Sequence, residues 1–408
     1  MNQIVPNQIT VPNDWDRRGL PGWSYHSEAQ FKLEREKLFL CHWQVAGHVN
    51  DVLSPGDWIS FDILGERAVV IRGRDGVVRA FHNLCRHRGA RVVDGTQGHC
   101  KSAIVCPFHG WVYNLDGTLR GAARPETFGE MKREDFGLKP VEMEVWHGFV
   151  FLRFHPGPQP SVAEWLAPYD ADFAAYRAEE LLPVQVPGWL TKLPVNWKSV
   201  RDVDNEGYHV ALAHPALQDL YGRSYTDAYL PGGLSASYAT FGDQPGRRWS
   251  VKNYVKLAPT QDWLPKRLQK NWNYYGVFPN SVFAFTPESI QFYQDLPISP
   301  AETLVTGRVY RRPDESRQMR VARYLAYRID RETSAEDQQL SMWSNESMKS
   351  TAFDNFHLSD LEYGVRRHHD CLRKLMPVLN LTDAPTDDQL ALINQNLLLT
   401  SDESRSTC

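Results

Sequence analysis

Two pairs of cysteine and histidine lie close together in the first third of the chain, and both residue types are common ligands of transition metals. Cys85 and His87 form a Cys-x-His pair, and Cys106 and His109 form a Cys-x-x-His pair. Zinc takes mixed cysteine and histidine ligands, so a structural zinc ion is the simplest interpretation. However, each pair supplies one cysteine and one histidine, and a [2Fe–2S] cluster with two cysteines on one iron and two histidines on the other needs the same four ligands. The pattern therefore predicts a metal centre.

A second group of candidate ligands lies in the stretch NWKSVRDVDNEGYHVALAHP at 196–215. Its periodicity predicts a helix that ends before Pro215, with Glu206 and His209 on one face. His209 and His214 are five residues apart, so they share one ion only if this helix loosens near its end. Two histidines and one carboxylate on one face of an iron ion leave open positions for O2. Taken alone, two histidines in one helix are more often structural.

The elements around these residues follow from periodicity. Between Asp57 and Gly121, alternating β-forming residues and Asp-Gly steps predict short strands joined by hairpins, so both Cys/His pairs lie in loops next to strands. A further β segment is predicted at 145–154, and the Pro/Gly-rich segment 155–160 predicts a domain boundary. The remainder is predicted as antiparallel strands across 270–312 and helices near 161–181, 196–214, 315–330, 334–349 and 359–376. The fold class is therefore α+β.

Composition limits the function classes. The chain has 408 residues, a net charge of −4 and 42% hydrophobic residues, which gives no reason to expect a nucleic-acid partner. No apolar stretch reaches the roughly 18 residues that span a membrane, and the N-terminus lacks the pattern of a signal peptide. The six cysteines are widely spaced, which is not the pattern of a disulfide framework. A cytoplasmic location is therefore predicted.

The flanks of the Cys/His pairs, CRHRGA at 85–90 and CPFHGW at 106–111, resemble the Rieske motif in the large (alpha) subunits of Rieske non-haem iron, aromatic ring-hydroxylating oxygenases. The N-W-K step at 196–198 and the Tyr208-His209 step are similar to the family's catalytic motif. The resemblance covers about residues 20–380. It implies a Rieske-type [2Fe–2S] cluster, whose ligands would be Cys85, His87, Cys106 and His109.

The same resemblance implies a mononuclear non-haem Fe(II) ion held by His209, His214 and Asp337. Asp337 follows Glu336 where a late helix is expected to begin, although Thr333-x-x-Glu336 is also typical of a capping box. The alternative carboxylates are Glu336 and Asp360.

The resemblance to the family gives Glu206 a different role. It implies an electron bridge from the iron ligand His209 to His109 of the next subunit. The family's usual residue there is Asp, and Glu is found in a branch that oxidises quaternary ammonium compounds. Asp202 or Asp204 could share this role.

The family fold implies three segments. Residues 1–40 would be an N-terminal helical segment packing on the catalytic domain, and residues 41–156 an all-β Rieske domain. Residues 157–408 would be the catalytic domain, in which an antiparallel sheet wraps around helices. The chain has no dinucleotide-binding fingerprint, so a separate flavin/ferredoxin-type NAD(P)H reductase is expected to supply electrons. A homotrimer or a multiple of it is expected, as is a small beta subunit in some systems.

The substrate is the least determined property. Aromatic residues at 270–300 could line its pocket or form the sheet core: Trp272, Tyr274, Tyr275, Phe278, Phe283, Phe285, Phe292 and Tyr293. Basic residues that could pair with a substrate carboxylate are Arg247, Arg248, Lys252 and Lys256. The resemblance to the family favours mono- or dioxygenation of an aromatic compound or aromatic acid. The alternative is oxidation or demethylation of a quaternary ammonium or betaine-like compound. Alternatives of another class are an electron-transfer protein and a zinc-stapled binding protein.

Overall fold

The computed structural model describes residues 8–184, 190–242 and 246–400. It divides into two compact units. The smaller unit is Phe39–Trp165 with Glu179–Pro183, and the larger unit contains the described residues of Met1–Leu38, Leu166–Ala178 and Val184–Cys408. The predicted segments 1–40 and 157–408 include residues 1–7, 185–189, 243–245 and 401–408, which lie outside the described residues. The domain boundaries after residues 40 and 156 stay predictions.

The smaller unit is built from short antiparallel strands. Its strands are β1 (Gln44–His48), β2 (Asp57–Ile63), β3 (Glu66–Arg72), β4 (Val78–His82), β5 (Gln97–His99), β6 (Ile104–Val105), β7 (Val112–Tyr113), β8 (Leu119–Gly121), β9 (Glu142–Trp146), β10 (Phe149–Arg153) and β11 (Leu182–Pro183). Three sheets have the orders β4-β3-β2-β5, β6-β7-β8 and β1-β10-β9. The all-β N-terminal domain predicted from the sequence is thereby confirmed.

One prediction in this unit needs correction. The segment predicted as a single β run at 145–154 contains the end of β9 and all of β10, which pair as a hairpin. His147 and Gly148 form its turn with φ values of 45° and 82°. Two successive positive φ values are what a two-residue hairpin turn of this hand requires.

The core of the smaller unit reaches the two Cys/His loops. Trp58, Phe81 and Trp111 are at most 6% exposed and belong to one hydrophobic cluster that also contains Cys85 and Cys106. The thiols are therefore anchored in the packed interior and not on the loop surface.

The larger unit contains an antiparallel sheet in which neighbouring strands follow chain order. The strands are β12 (Leu190–Leu193), β13 (Thr226–Tyr229), β14 (Ser235–Thr240), β15 (Asn271–Val277), β16 (Ser281–Thr286), β17 (Ser289–Ser299) and β18 (Glu302–Arg311). They run from β13 to β18 in order, and β12 pairs with β18. The predicted strands across 270–312 are confirmed, whereas β13 and β14 were not predicted.

The described α-helices are α1 (Glu28–Glu34), α2 (Val162–Trp165), α3 (Asp170–Ala175), α4 (Trp197–Asp204), α5 (Val210–Ala213), α6 (Pro215–Tyr221), α7 (Trp249–Leu257), α8 (Arg317–Ser347), α9 (Tyr363–Leu375) and α10 (Leu390–Thr400). Short 3₁₀ helices occur at Gly22–Tyr25, Val49–Asp51, Pro125–Phe128, Arg133–Phe136, Ala167–Tyr169, Ala178–Glu180, Lys266–Leu268, Asp360–Glu362 and Pro377–Asn380. Within the described residues, no helix is both long and apolar enough to cross a membrane.

Four of the predicted helices have different bounds. The helix predicted at 161–181 is broken into α2, α3 and 3₁₀ turns, and the helix predicted at 196–214 is divided between α4 and α5. The two helices predicted at 315–330 and 334–349 are one helix, α8.

Helix α8 is the longest helix among the described residues. It begins at the N-cap Ser316, whose side chain accepts from the Met319 N–H, and it contains neither Gly nor Pro. Apolar residues buried along its first half give way to Ser341 and Asn345 in its second half. Helices α4, α6 and α7 pack against it, and α4 also contacts β17. A polar stripe on a packed helix of this kind positions functional groups in the interior.

Candidate metal centres and the adjoining cavity

The two Cys/His loops of the smaller unit repeat the same turn. The Gly89 N–H donates to the Cys85 carbonyl at 2.9 Å, and the Gly110 N–H donates to the Cys106 carbonyl at 3.0 Å. Both glycines have positive φ, 73° and 67°, a conformation in which a side chain would be strained. Each loop therefore turns back on its cysteine within four residues and brings its histidine to the same end of the unit.

The four predicted cluster ligands come together. Cys85 and Cys106 are each 2% exposed, and burial raises the pKa of the Cys85 thiol. The rings of His87 and His109 have centroids 4.6 Å apart. Nδ1 of His87 is buried and has no hydrogen-bond partner among the described residues. Two buried thiols beside two imidazoles, one of them with an unsatisfied nitrogen, fit a Rieske-type [2Fe–2S] cluster.

The predicted iron ligands lie at a break in the helical run of the larger unit. Helix α4 ends at Asp204, and α5 spans only Val210–Ala213. A Cβ on Gly207 would lie 1.9 Å from the Tyr225 ring, so the chain here passes too close to that ring for any other residue. His209 and His214 are the residues that flank α5 at its two ends. The break is thus the reason why two histidines at a five-residue spacing can converge.

His209, His214 and Asp337 form a compact group of possible metal ligands. The two Nε2 atoms are 3.0 Å apart, and Oδ1 of Asp337 lies 2.9 Å from Nε2 of His214 and 3.4 Å from Nε2 of His209. Two ligand atoms bound at right angles, each about 2.1 Å from one ion, are themselves about 3 Å apart. The spacing therefore fits one metal ion bound by all three groups.

Carboxylates on the far side of both rings fix the histidine tautomers. Glu206 is hydrogen-bonded to Nδ1 of His209, and Oε2 of Glu336 lies 2.9 Å from Nδ1 of His214. A carboxylate accepts a hydrogen bond, so each Nδ1 carries a proton, and the neutral form of each ring presents its lone pair at Nε2. Oδ1 of Asp337 also lacks a hydrogen-bond donor among the described residues. Three acceptors that converge without a donor fit a cation, as in other sites where outer carboxylates orient ligand histidines.

The electrostatics of this group agree with that geometry. Burial lowers the pKa of His209, but the carboxylates of Asp337 and Glu206 outweigh burial and raise it to about 10. The pKa of His214 is also raised, since Asp337 and Glu336 outweigh its burial. The group therefore carries an excess of negative charge that attracts positive charge to the point between the three ligand atoms.

The setting of the third ligand corrects one expectation. Thr333 does not begin a helix: it lies inside α8, and its hydroxyl donates to the Ile329 carbonyl at 3.2 Å. Asp337 therefore lies in the middle of a long helix. Asp360 lies apart from the histidines and forms a salt bridge of 2.8 Å with Arg17.

The two alternatives to Glu206 have other partners. Asp202 accepts from the Tyr25 hydroxyl at 2.6 Å, and Asp204 forms a salt bridge of 2.6 Å with Arg201. Glu206, by contrast, contacts His209 directly. The structure therefore gives Glu206 the contact that the predicted bridge needs on this side. The role itself stays a prediction.

A cavity of ≈ 160 Å³ lies next to the three ligands. It is lined by residues of α4, β14, β15, β17 and α8. Of the eight aromatic candidates at 270–300, Tyr274 and Tyr293 are in its lining, whereas Tyr275 and Phe283 are fully buried in the sheet core. The four basic candidates at 247–256 are absent from its described lining, and Arg248 instead pairs with a surface glutamate.

Two acidic groups of the cavity were not anticipated. Asp330 accepts from the Gln291 side chain at 3.0 Å, and burial raises the pKa of its carboxyl to about 7. Asp295 is fully buried and pairs with Arg201. Asp330 precedes Asp337 by about two helical turns, which places both on one face of α8. This spacing was the signal in the sequence that could have identified Asp330.

Two family models match the chain. The model for the Rieske [2Fe-2S] domain matches residues 42–132, and the model for the ring-hydroxylating alpha subunit (catalytic domain) matches residues 171–378, about half of the chain. The chain belongs to the ring-hydroxylating alpha subunit family. This membership confirms the predicted types of cofactor, a Rieske [2Fe–2S] cluster and a mononuclear iron ion. The assignment of individual ligands stays a proposal.

Similar curated proteins act on quaternary ammonium compounds, according to their names. The carnitine monooxygenase oxygenase subunit of Escherichia coli K12 is 34% identical over 216 residues, which are 53% of this chain and 57% of that protein. The glycine betaine monooxygenase oxygenase subunit of Chromohalobacter salexigens is 29% identical over 327 residues, 70% of this chain and 69% of that protein. The chain thus spans little more than half the length of the first of these relatives.

Solved structures support the fold. A quaternary ammonium Rieske monooxygenase, described in terms of carnitine oxidation and inter-subunit electron transfer, has a TM-score of 0.75 at 22% identity and covers 88% of this chain and 95% of its own. Naphthalene 1,2-dioxygenase from Rhodococcus sp. has a TM-score of 0.70 at 17% identity and covers 88% and 94%. At these identities the likeness shows the shared fold alone.

Proposed function

We propose that this chain is the terminal oxygenase component of a multi-component Rieske system and monooxygenates a quaternary ammonium or related N-methyl compound. The observation that carries the proposal is the convergence of His209, His214 and Asp337 beside a cavity lined by carboxylates and tyrosines. The curated relatives named above supply the substrate class, since their names specify carnitine and glycine betaine.

The comparisons favour the ammonium alternative over the aromatic substrate that the resemblance to the family favoured. The likeness to naphthalene 1,2-dioxygenase is a likeness of fold, and aromatic hydrocarbon catabolism and dioxygenation have no support beyond it. The basic residues that would pair with an aromatic acid are absent from the described lining of the cavity. A plain electron carrier would not need this cavity, and a zinc-stapled binding protein would not need the second ligand group.

The roles follow from the site geometry. Cys85, His87, Cys106 and His109 would hold the cluster, and His209, His214 and Asp337 would hold the iron ion. The two groups, when bound, supply single-electron storage and reductive activation of O2. The chain's own residues orient the iron ligands and enclose the substrate. Glu206 and Glu336 keep the two imidazoles in one tautomer, and residues of the surrounding sheet and helices line the cavity.

The reaction balances as a monooxygenation. One atom of O2 enters the substrate, and the other leaves as water with two electrons and two protons. A separate NAD(P)H reductase supplies the electrons, because no dinucleotide-binding fingerprint is present in the sequence. A cytoplasmic location stays a prediction.

Electron delivery is proposed to cross between subunits. Glu206 would link His209 of one subunit to His109 of the next, so the active form is an oligomer, and a homotrimer is the form expected from the family. A solved relative is described in terms of inter-subunit electron transfer, which supports this proposal. No relative reported above is described with a small beta subunit.

The test joins metal analysis to product analysis. Purified protein is assayed for iron, zinc and acid-labile sulfide, and the dithionite-reduced protein is examined by EPR. We expect sulfide, about three irons per chain and the rhombic signal of a histidine-ligated cluster. With a reductase, glycine betaine, carnitine or choline should give an oxygenated product and benzoate should not. Zinc without sulfide, or a product from benzoate alone, would contradict the proposal.

A further inference from the structure

The charges that line the cavity are unbalanced. Outside the three iron ligands and Glu206, its described lining contains the carboxylates of Asp204, Asp295 and Asp330. The one lysine or arginine in that lining is Arg201, which is 2% exposed. Residues 185–189 and 243–245, outside the described part, contain no lysine or arginine. The cavity therefore holds more negative than positive side chains.

Arg201 is not available to a ligand. Its guanidinium is held between Asp204 and Asp295, two carboxylates that together outweigh its single charge. Oδ1 of Asp295 is buried and has no hydrogen-bond partner among the described residues. Apart from the proposed iron ion, a substrate carboxylate would find no free cationic side chain among the described residues of the lining, and a buried charge without a partner is costly.

Among the described residues, Asp330 has no counter-ion. Its hydrogen-bond partner is the neutral amide of Gln291, and burial raises the pKa of its carboxyl to about 7. It lines the cavity from the same helix as Asp337. A bound cation would stabilise the ionised form of this group, because an opposite charge within a few ångströms favours ionisation.

Two tyrosines of the cavity lining have hydroxyls that are hydrogen-bonded to neighbouring side chains. The Tyr274 hydroxyl lies 2.9 Å from that of Tyr221, and the Tyr293 hydroxyl donates to Asp204 at 2.7 Å. Their rings add aromatic surface to the lining. Aromatic surface next to a carboxylate suits an alkylated ammonium group, which gains from cation–π attraction and needs no hydrogen-bond partner.

We propose that the cavity selects an organic cation that has no carboxylate, with Asp330 as the counter-ion of its ammonium group. This inference rests on the proposed function and narrows it: within quaternary ammonium compounds, the site favours a choline-like cation over the zwitterions carnitine and glycine betaine. Asp330 is thus a specificity-determining residue.

The test measures binding directly, without turnover. The iron- and cluster-loaded protein is titrated by calorimetry with choline, glycine betaine, carnitine and benzoate, in the absence of reductant. Asp330→Asn keeps the shape of the side chain and removes its charge. The matched control is Glu332→Gln on the same helix, because Glu332 pairs with Arg248 at 3.3 Å and is not in the described lining of the cavity.

We expect wild-type protein to bind choline at least tenfold more tightly than either zwitterion. Asp330→Asn should weaken choline binding at least tenfold, whereas Glu332→Gln should change it less than twofold. The wild-type selectivity needs no variant, so it stands as a test even if Asp330→Asn does not fold.

Other outcomes separate this inference from the proposed function. Equal or tighter binding of carnitine or glycine betaine would overturn the charge assignment and leave the ammonium oxygenase intact. Unchanged choline binding in a folded Asp330→Asn variant would likewise overturn the charge assignment and leave the ammonium oxygenase intact. Binding of benzoate alone would overturn both.

Discussion

A buried ion pair at the start of helix α4 gives the sharpest test of how the fold positions the proposed iron ligands. Nζ of Lys198 lies 2.6 Å from Oε1 of Glu34, and the two side chains are 1% and 0% exposed. Oε2 of Glu34 accepts from the Trp197 indole at 2.8 Å. Lys198 and Trp197 are in the first turn of α4, the helix that leads to the His209 loop, so Glu34 on α1 fixes the start of that helix.

Glu34→Gln keeps the acceptor for Trp197 but leaves the Lys198 ammonium buried without a counter-charge. Removing one partner of a buried ion pair costs about 3–5 kcal/mol. The ammonium retains cation–π contacts, 5.2 Å from the Tyr25 ring centroid and 5.5 Å from that of Trp197, which offset part of the loss. We therefore expect a loss of about 3 kcal/mol, which lowers the unfolding midpoint by about 6 °C for a unit of this size.

The assay is thermal unfolding of the full chain, followed by tryptophan fluorescence, together with the iron content of each variant. Glu302→Gln is the matched control, because Glu302 pairs with Lys192 at 3.3 Å on the surface and its loss should cost less than about 1 kcal/mol. Adding Lys198→Met to Glu34→Gln should recover at least half of the loss. The reasoning is refuted if Glu34→Gln is no more destabilising than Glu302→Gln, or if the double variant is less stable than the single one.

Three further predictions concern separate parts of the larger unit. Glu206→Gln should retain both metal centres but slow re-oxidation of the reduced cluster by O2 and substrate at least tenfold in stopped-flow absorbance; a wild-type rate would remove Glu206 from the electron path. His209→Ala should lose the mononuclear iron in metal analysis and keep the visible absorption of the cluster, and a colourless variant would contradict two independent sites. Burial raises the pKa of Glu288 from 4.5 to about 7, so ionised Glu288 opposes folding and the free energy of unfolding falls as pH rises from about 4.5 to 7. Glu288→Gln should remove up to about 3 kcal/mol of that fall between pH 5 and 8 in urea unfolding, and an equal pH dependence in both proteins would refute it.

The cluster loops were predictable from sequence because every determinant is local. Strand alternation, Asp-Gly turns and the glycine that follows each Cys/His pair lie within a few residues of the ligands they position. The positive φ of Gly89 and Gly110 is a property of single residues, and it closes each loop on its own cysteine. The residue spacing and the local turn residues are therefore enough to predict the conformation of the two loops.

The iron site was predictable in composition but not in local structure. The 196–214 run has helical periodicity throughout, yet α4 ends at Asp204, and the chain at Gly207 then passes against the ring of Tyr225. Tyr225 is itself placed by tertiary packing, which a pattern of neighbours along the chain does not encode. The interpretation of Thr333-x-x-Glu336 as a capping box is wrong for the same reason. Packing of α8 against α4, α6 and α7 favours a continuous helix over a local start signal.

The adjacent residues Glu336 and Asp337 show why only one carboxylate of an acidic pair can serve as the proposed metal ligand. Successive residues on a helix point about 100° apart, so both cannot face the point between His209 and His214. Asp337 faces the two Nε2 atoms, whereas Glu336 contacts His214 at Nδ1, on the side of the ring away from that point. Glu336 therefore serves the site only through His214, as Glu206 does through His209. An exchange of the two side chains would keep the charge and destroy the arrangement, because the longer glutamate would crowd the histidines and the shorter aspartate would fall short of the His214 ring.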